Sequence, residues 1–542
     1  MIVGREGLFR RSLRALVILS FSAFPVLAYT PWPQPASQTV GDTVLSVDAS
    51  LSFTLTGSSA PGTLLSEGFA RYASLITGGY ACSASRQALL EKVARRGGRT
   101  HAHQRRHASQ ATLSTCAVTV TGAEEPPLAE DVDESYQLSV SGEGTCAITA
   151  VTGFGVLRAL ETLSAFAGEA CTIENAPLKV VDAPRFSYRG LMIDSSRHFL
   201  PVHFVEHIID TMVASKFNVL HWHLSDSQSF PSGSALYPQL AEQGAYLFPE
   251  AAYSVEDLQG VVAYGRARGV RVMPEWDIPG HGSWGYGVPE VMVQDGPCSD
   301  TMDPTKQETY DFLKGFLGEM VTLFPDSFLF LGGDEVQTYC FTESPSVSAW
   351  MAANGIADGV ALQSYFWQQV TAQVMPALNR TLGVWMADDG IPYPEDLPAG
   401  SFGNVWQSQS MTAPVIDRGA KVVLSGPWYL DQQRPGGYEV YALQQMWKGM
   451  YAVEPYANLT AAQQGAVLGG QACMWAEGIN EGDFDAYAVT KAAAVAERLW
   501  SPASVTNITA AQPRLIEHVC RLNMRGIQAE PIYPSFCLTD IV

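Results

Sequence analysis

Two neighbouring carboxylates, Asp334 and Glu335, lie in the stretch LGGDEV and could carry acid–base chemistry. The apolar run SFLFL before them predicts a buried strand, which Gly332 and Gly333 end. Enzymes that cleave glycosidic bonds usually hold two carboxylates on either side of one bond, roughly 5 to 9.5 Å apart. Neighbours on a strand point in opposite directions, so this pair alone does not supply that arrangement. Either one carboxylate is structural, or the chemistry needs something other than a standard pair.

A repeated strand–helix pattern from residue 186 onward must position this pair. Eight apolar stretches predict strands, and amphipathic segments predict helices between several of them. The stretches are RGLMID, FNVLHWHL, VRVMPEW, FLFLGG, TLGVWMA, FGNVW, KVVLS and AVLGGQACMW. This α/β pattern is typical of a (β/α)8 TIM barrel, which takes about 250 residues or more. An open doubly wound sheet is the alternative, but no G-x-G-x-x-G follows the first strand.

The chain before the barrel has a different pattern. Residues 1–28 combine four arginines with the apolar run ALVILSFSAFPVLA, which predicts a secretory signal peptide ending at Ala28. A retained signal anchor is the alternative, although the run is short for a membrane span. Residues 29–180 predict a small α+β domain with a mostly antiparallel sheet. We therefore expect a signal peptide at 1–28, an α+β domain at 29–180 and the barrel at 181–542.

Composition limits the partners and the compartment. The net charge of −21 makes binding to nucleic acid or an anionic membrane unfavourable. Nine cysteines without a C-x-x-C pair predict disulfides rather than a structural zinc site. The odd number leaves at least one free thiol, for which Cys473 in the apolar GGQACMW is the candidate. Sequons predict glycosylation at Asn379, Asn458 and Asn507.

Residues at the carboxyl ends of barrel strands carry the chemistry of such folds. The predicted strand ends supply acids, histidines and aromatic residues: Asp194, Arg197, His221, His223, Asp226, Glu275, Asp277, His281, Asp334, Glu335, Trp385, Asp388, Trp406, Trp428, Tyr429, Asp431, Trp475 and Glu477. Tryptophans and acids without a glycine-rich phosphate loop indicate a sugar site, because aromatic faces stack on pyranose rings and carboxylates hold hydroxyls. The alternative for any one tryptophan is a cap on the barrel core.

Longer motifs resemble a known family. YRGLMIDSSRHFLP, FNVLHWHLSDSQSFP, PEWDIPGH, LGGDEV, PWYLD, GGQACMWAEG and AVAERLW are similar to motifs of the family 20 β-N-acetylhexosaminidases, which include the lysosomal hexosaminidase subunits. The resemblance runs from about residue 186 to the C-terminus and is loose before it. It implies an exo-acting, retaining enzyme that removes terminal GlcNAc or GalNAc. In this family the 2-acetamido oxygen of the substrate attacks the anomeric carbon, and an oxazolinium ion forms, so no carboxylate nucleophile is needed.

The resemblance implies a role for each matched residue. Glu335 matches the general acid, and Asp334 matches the residue that orients the acetamide and stabilises positive charge on its nitrogen. Asp226 and His281 match a relay that keeps Glu335 protonated, with structural hydrogen bonding as the alternative. The residues implied in sugar binding are Arg189 for the 3- and 4-hydroxyls, Trp385, Trp406, Trp428 and Trp475 for the pocket walls, Tyr429 for the acetamide oxygen, and Asp431 and Glu477 for outer hydroxyls. A buried salt bridge is the alternative for Arg189.

The resemblance also bears on cofactors, disulfides and specificity. It implies no metal and no cofactor, so His221 and His223 are interpreted as packing and hydrogen-bonding residues. It implies the disulfides Cys298–Cys340 and Cys520–Cys537, whereas order alone suggests Cys82–Cys116 and Cys146–Cys171. Asp431 and Gln432 beside Tyr429 favour neutral substrates, although Arg434 is close enough to leave this open. A homodimer and a secreted, lysosomal or vacuolar destination are further implications.

Three functional hypotheses follow. The first is a β-N-acetylhexosaminidase acting on glycans with a terminal β-linked N-acetylhexosamine. The second is a catalytically silent sugar-binding protein on the same barrel, against which the intact pair Asp334 and Glu335 argues. The third is another barrel enzyme, either a two-carboxylate retaining glycosidase or an enolase-type metal enzyme.

Overall fold

The chain was analysed as a computed structural model. It describes residues 31–57, 60–78, 107–168, 171–298, 300–388, 392–431, 446–535 and 537. The signal peptide predicted at 1–28 lies outside these residues, as do Cys82, Gln432 and Arg434. Within the described part, every helix is too short or too polar to traverse a bilayer.

Eight parallel strands close into a barrel, which confirms the predicted (β/α)8 fold. They are β7 (Tyr188–Asp194), β8 (Val219–His223), β9 (Arg271–Glu275), β10 (Phe328–Phe330), β11 (Thr381–Met386), β12 (Phe402–Val405), β13 (Lys421–Leu424) and β14 (Val467–Met474), and β14 pairs with β7. Each predicted apolar stretch overlaps one of these strands. Alternate side chains point inward, and Met192, Met273, Phe330 and Phe402 fill the barrel interior.

Helices cover the outside of the barrel. They are Val202–Ala214, Gln239–Gly244, Val255–Arg266, Gln307–Leu323, Tyr339–Glu343, Pro345–Asn354, Gly359–Gln369, Met375–Leu378, Thr412–Asp417, Met446–Ala452, Ala461–Gln464, Phe484–Trp500 and Ile508–Met524, with a π-helical turn at Val370–Val374 and 3-10 turns at Ser283–Tyr286, Pro289–Val291, Pro394–Asp396, Gln409–Met411 and Gly426–Trp428. Their apolar faces join the outward side chains of the strands in one large core that includes Ile208, Phe316 and Val495. The outer core therefore holds the strands while leaving their carboxyl ends open.

A mixed six-stranded sheet precedes the barrel and confirms the predicted α+β domain. Its strands are β1 (Ser37–Leu55), β2 (His107–Val120), β3 (Tyr136–Val140), β4 (Cys146–Ala150), β5 (Ala167–Gly168) and β6 (Thr172–Asp182), in the order β1-β2-β4-β3-β6-β5. The pairings β1–β2 and β2–β4 are parallel and the other four are antiparallel. The helices Thr63–Ala73 and Gly153–Ala165 pack their apolar side chains into the core of this domain.

Buried charges join this domain to the amino ends of the barrel strands. Glu134 accepts hydrogen bonds from Arg158 at 2.7 Å and from Arg189 at 2.6 Å. Lys216 lies 3.0 Å from Asp182, which also accepts a hydrogen bond from the indole of Trp500. The predicted sugar-binding role of Arg189 is therefore wrong. Its fully buried guanidinium also donates to the Lys216 and Phe186 carbonyls, at the end of the barrel opposite to the strand ends.

Three disulfides are present among the described residues. Cys298–Cys340 and Cys520–Cys537 confirm the two implied by the resemblance. Cys116 pairs with Cys146, which corrects the pairings suggested by order alone. These two cysteines face each other across the parallel strands β2 and β4. Cys473 is free and buried, as predicted. Disulfides of this number indicate folding in the secretory pathway.

Candidate active site

Two glycines with positive φ shape the turn after β10 that carries the adjacent carboxylates. Gly332 and Gly333 have φ values of 64° and 94°, a region that only glycine adopts without strain. A Cβ on Gly332 would lie 1.9 Å from Oδ1 of Asp277, and the Gly333 amide donates to that same oxygen at 2.9 Å. Glu335 also has a positive φ of 49°. Such a conformation costs a non-glycine residue of order 1–3 kcal/mol and is commonly found at functional sites.

Glu335 faces a cleft and ends a chain of charged side chains. Its side chain is 60% exposed, and its Oε2 lies 3.4 Å from Nε2 of His281. The other nitrogen of His281 lies 3.3 Å from Asp226, so the structure brings together the three residues predicted to form a relay. The cleft is lined by Arg197, Asp226, Ser227, Gln228, Gly280, His281, Asp300, Thr301, Glu335 and Gln337.

The relay does not hold the proton where the sequence interpretation put it. The His281 imidazole, whose Nε2 lies 3.4 Å from Glu335, lowers the pKa of that carboxyl. Burial alone would lower the pKa of His281, but its interactions with the Asp226 and Glu335 carboxylates outweigh it and raise that pKa to about 12. The imidazole therefore carries the proton and Glu335 is ionised in the sugar-free protein. That the relay supplies a protonated Glu335 for catalysis stays a prediction.

Asp334 is more buried than Glu335, although oxygens of the two carboxylates lie within 4.8 Å of each other. Its Oδ1 is buried and accepts no hydrogen bond from any described residue. Burial raises the pKa of Asp334, although the charge of His281 opposes the shift. Burial likewise raises the pKa of the neighbouring Asp277, and the charge of Asp334 adds to that shift. A buried acceptor without a partner is uncommon and is consistent with a place that a ligand donor fills.

Four aromatic side chains surround this part of the barrel mouth. The Trp385 and Trp475 rings lie 5.7 Å apart, and the Trp406 and Tyr429 rings lie 6.3 Å apart. Trp385 and Tyr429 are almost fully buried, whereas Trp406 and Trp475 are partly exposed. The indole nitrogen of Trp406 is buried without an acceptor among the described residues. The structure therefore brings four of the five predicted aromatic residues into one cluster at the barrel mouth.

The fifth aromatic residue, Trp428, does not reach the pocket. It is fully buried in the outer core, where its indole donates to the Met450 carbonyl at 3.1 Å and its ring lies against Gly470. Trp428 and Tyr429 are adjacent in the chain and belong to opposite sides of the barrel wall. The prediction that Trp428 lines the sugar pocket is therefore wrong.

Arg197 occupies the position that sequence reasoning gave to Arg189. Its guanidinium lies 2.6 Å from Asp226 and 3.3 Å from Asp194, and 4.7 Å from the centre of the Trp475 ring. Its side chain is 11% exposed and lines the cleft with Glu335. Position along the strand distinguishes the two arginines in the sequence, because Arg197 follows the carboxyl end of β7 whereas Arg189 is near its start.

The remaining predicted residues lie at the margin of the pocket. Burial raises the pKa of Asp431 to about 6, and its Oδ1 is a second buried acceptor without a partner among the described residues. The charge of Glu477, which is exposed, contributes to that shift.

Ligand atoms lie close enough to hold a metal ion in two groups of side chains. One group is Asp226, Asp277 and His281, and the other is His281, Asp334 and Glu335. The cation His281 belongs to both groups, which disfavours a second cation there.

Comparisons with known proteins agree with this geometry. Residues 186–503 match the family described as glycosyl hydrolase family 20, catalytic domain, and residues 31–165 match the family described as beta-acetyl hexosaminidase like. The beta-hexosaminidase subunit beta of Mus musculus is 34% identical over 558 residues, which cover 98% of this chain and 97% of that protein. The Homo sapiens subunit beta is 37% identical over 424 residues, covering 75% and 73%.

Solved structures give the same result. The chitobiase of Flavobacterium johnsoniae superimposes with a TM-score of 0.73 at 25% identity, covering 92% of this chain and 73% of that one. An exo beta-N-acetylglucosaminidase of Vibrio harveyi shares the fold, with a TM-score of 0.72 at 23% identity over 93% and 80% of the chains. The chain therefore belongs to glycosyl hydrolase family 20 and is a glycoside hydrolase of the β-hexosaminidase type.

Proposed function

We propose that the protein removes terminal β-linked GlcNAc or GalNAc by substrate-assisted, retaining hydrolysis. One observation carries the proposal: Asp334 and Glu335 are adjacent but face different environments. Glu335 reaches a cleft, and Asp334 presents an unpaired oxygen beside aromatic side chains. A carboxylate nucleophile is not required when the 2-acetamido group of the sugar attacks the anomeric carbon.

Glu335 acts as the general acid in this proposal. The ionised Glu335 and the protonated His281 together hold one transferable proton. A bound sugar removes water from the exposed carboxylate, and desolvation raises a carboxyl pKa. The proton can then pass to Glu335 and on to the leaving oxygen. In the second step Glu335 takes a proton from water, which attacks the oxazolinium ion.

Asp334 and the aromatic pocket hold the acetamide group. The unpaired Oδ1 of Asp334 accepts the acetamide N–H and stabilises the positive charge that develops on nitrogen. The Tyr429 hydroxyl donates to the acetamide oxygen and aims it at the anomeric carbon. Trp385, Trp406 and Trp475 enclose the methyl group and the sugar face. The pocket thereby supplies the geometry that makes an intramolecular attack fast.

Arg197, Asp431 and Glu477 bind the outer hydroxyls. Arg197 presents a planar fork of donors that suits two neighbouring hydroxyls, and it takes over the function first predicted for Arg189. The buried acceptor Asp431 suits a hydroxyl rather than an anionic substituent, which favours neutral substrates. We also propose a homodimer, a secreted or lysosomal/vacuolar destination, and glycans at Asn379, Asn458 and Asn507, which are exposed.

An aryl N-acetyl-β-glucosaminide tests the function, with and without a thiazoline that mimics the cyclic intermediate. We expect turnover that the thiazoline inhibits competitively, and far slower turnover of the aryl glucoside that lacks the acetamido group. Asp334→Asn should impair turnover severely, because an amide cannot stabilise the positive charge. Turnover that ignores the thiazoline would indicate a carboxylate nucleophile, and loss of turnover with a chelator would indicate a metal enzyme. No turnover by the wild-type protein would favour the sugar-binding alternative.

A further inference from the structure

A fully buried carboxylate at the carboxyl end of β9, Glu275, has no role in the mechanism proposed above. Its Oε2 lies 2.7 Å from Nδ1 of His223 and 2.9 Å from Nε2 of His221. Its Oε1 accepts a hydrogen bond of 2.7 Å from the indole of Trp385. One side chain therefore contacts two imidazoles of β8 and one wall of the acetamide pocket.

His223 extends this contact toward the general acid. Its second nitrogen lies 2.9 Å from Oδ2 of Asp226, whose Oδ1 faces His281. His281 in turn lies 3.4 Å from Glu335. The side chains Glu275, His223, Asp226, His281 and Glu335 thus form an alternating series of carboxylates and imidazoles from the barrel interior to the cleft.

We propose that Glu275 is a positioning residue for the reaction of the proposed function, because it fixes His223 and Trp385 together. Through His223 it orients Asp226 and the relay of the acid. Through Trp385 it sets the wall against which the acetamide packs. The inference rests on the proposed function and adds a residue that connects its two halves.

The charges around His223 support this connection. Burial would lower the pKa of His223, but the charge of Glu275 at 2.7 Å and the hydrogen bond to Asp226 raise it well above the ordinary value. Asp194 adds to that shift, and Arg197 approaches His223 at 3.5 Å while Trp475 packs edge-on against its ring. His221 contacts the same carboxylate and also lies 3.2 Å from Gln471. Two carboxylates thus flank His223, and removal of Glu275 leaves Asp226 as its only carboxylate in direct contact among the described residues.

Glu275→Gln tests the inference because it keeps the shape and removes the charge. The pKa of His223 then falls because one of its two carboxylates is gone, and less positive charge remains beside Asp226. The more negative relay holds its own proton more tightly. We expect kcat/KM for the aryl N-acetyl-β-glucosaminide to fall on the order of 10²-fold, the size of effect that small misplacements cause. We also expect the basic limb of its pH profile to move to higher pH.

Glu134→Gln is the matched control. Glu134 is an equally buried carboxylate with two cationic partners at the opposite end of the barrel. It should lower the melting temperature and leave kcat/KM and its pH profile unchanged. If Glu275→Gln does not fold, His223→Gln removes the same positive charge from the relay and should give the same alkaline shift.

The possible results distinguish failure of this inference from failure of the proposed function. If the wild-type protein turns over the substrate and the Glu275→Gln variant has the same kcat/KM and pH profile, the inference is overturned and the proposed function stands. The same pH profile with reduced stability would show that Glu275 is only structural, as we expect of Glu134. Absence of thiazoline-sensitive turnover by the wild-type protein would overturn the proposed function and the inference with it.

Discussion

Buried charged side chains lie at both ends of the barrel, but the hydrogen bonding of their carboxylates differs between the two ends. At the amino end, both oxygens of Glu134 and of Asp182 accept hydrogen bonds from described residues, among them the guanidinium of Arg189 and the indole of Trp500. At the carboxyl end, Asp334 and Asp431 each keep a buried oxygen without a partner among the described residues.

This difference separates a structural network from a functional one. The amino-end carboxylates have both oxygens paired, although Arg158 keeps one buried nitrogen without a partner among the described residues, and removing a partner from such a network is costly. Buried polar atoms left unpaired weaken the fold, and they are kept where a ligand or a reaction uses them. The same residue types therefore have opposite consequences, which mutations at the two ends can measure.

The largest effect is expected for Glu335→Gln. The general acid contributes about 10²–10⁴-fold to such reactions, so kcat should fall by that factor. Because the side chain is 60% exposed, the free energy of unfolding should change by less than about 0.5 kcal/mol. Steady-state kinetics and urea unfolding measure the two quantities. Glu308→Gln, at an exposed carboxylate of the outer helix Gln307–Leu323, is the control and should change neither. A variant that keeps wild-type kcat would contradict the assignment.

Glu134→Ala should have the opposite signature. It leaves Arg158 and Arg189 buried without their carboxylate, and breaking such a pair costs about 3–5 kcal/mol of unfolding free energy. Urea unfolding should show this loss, while kcat stays at the wild-type value at temperatures where the protein remains folded. A fall in kcat without a fall in stability would show that the two ends are not separate.

Substitutions of Arg189, in the first barrel strand, and of Arg197, in the loop after it, should have smaller effects that differ from each other. Arg197→Lys should lower kcat/KM by roughly 10- to 100-fold, the loss of about 1.5–3 kcal/mol in charged hydrogen bonds to the sugar. Arg189→Lys should lower the melting temperature and leave KM unchanged. Steady-state kinetics and thermal unfolding of both variants measure these two effects. Equal effects on KM would restore the role first predicted for Arg189.

The smallest effect concerns pH and Asp277. Burial and the charge of Asp334 raise its pKa, so the folded protein binds this proton more tightly than the unfolded chain. Stability from this group is therefore present at low pH and is lost as pH rises from the unfolded value of about 3.9 toward the raised folded value, at about 1.4 kcal/mol per pKa unit of the shift. Asp277→Asn should flatten this fall in urea unfolding between pH 4 and 7. An unchanged slope would show that Asp277 is not protonated in the fold.

The barrel could be predicted because its signals are local. Each strand is an apolar stretch, and the residues beyond its carboxyl end are known once the strand is found, which is why the sequence already places Asp334, Glu335 and His281 beyond strand ends. Arg189 and Trp428 were misplaced because motif similarity does not say which end or which side of the wall a side chain faces. The Cys116–Cys146 disulfide depends on the pairing of β2 with β4, and a register between distant segments is not visible in either segment.

The protonation of the site was also beyond the sequence. His281 and Glu335 are 54 positions apart in chain order, yet their 3.4 Å contact decides which of them holds the proton. Composition and motif identify both residues but give neither distance nor burial. Direction of a pKa shift follows only from those two quantities.

The indole of Trp500 has a consequence for how this enzyme can be divided. It extends from the last residue of the helix Phe484–Trp500 into the apolar core of the preceding domain. A truncated barrel would lose this packing and expose the cations Arg189 and Lys216 without their carboxylates. The barrel therefore depends on the preceding domain for its stability. Gene fragments, fusion proteins or domain exchanges that start at residue 186 should yield insoluble product.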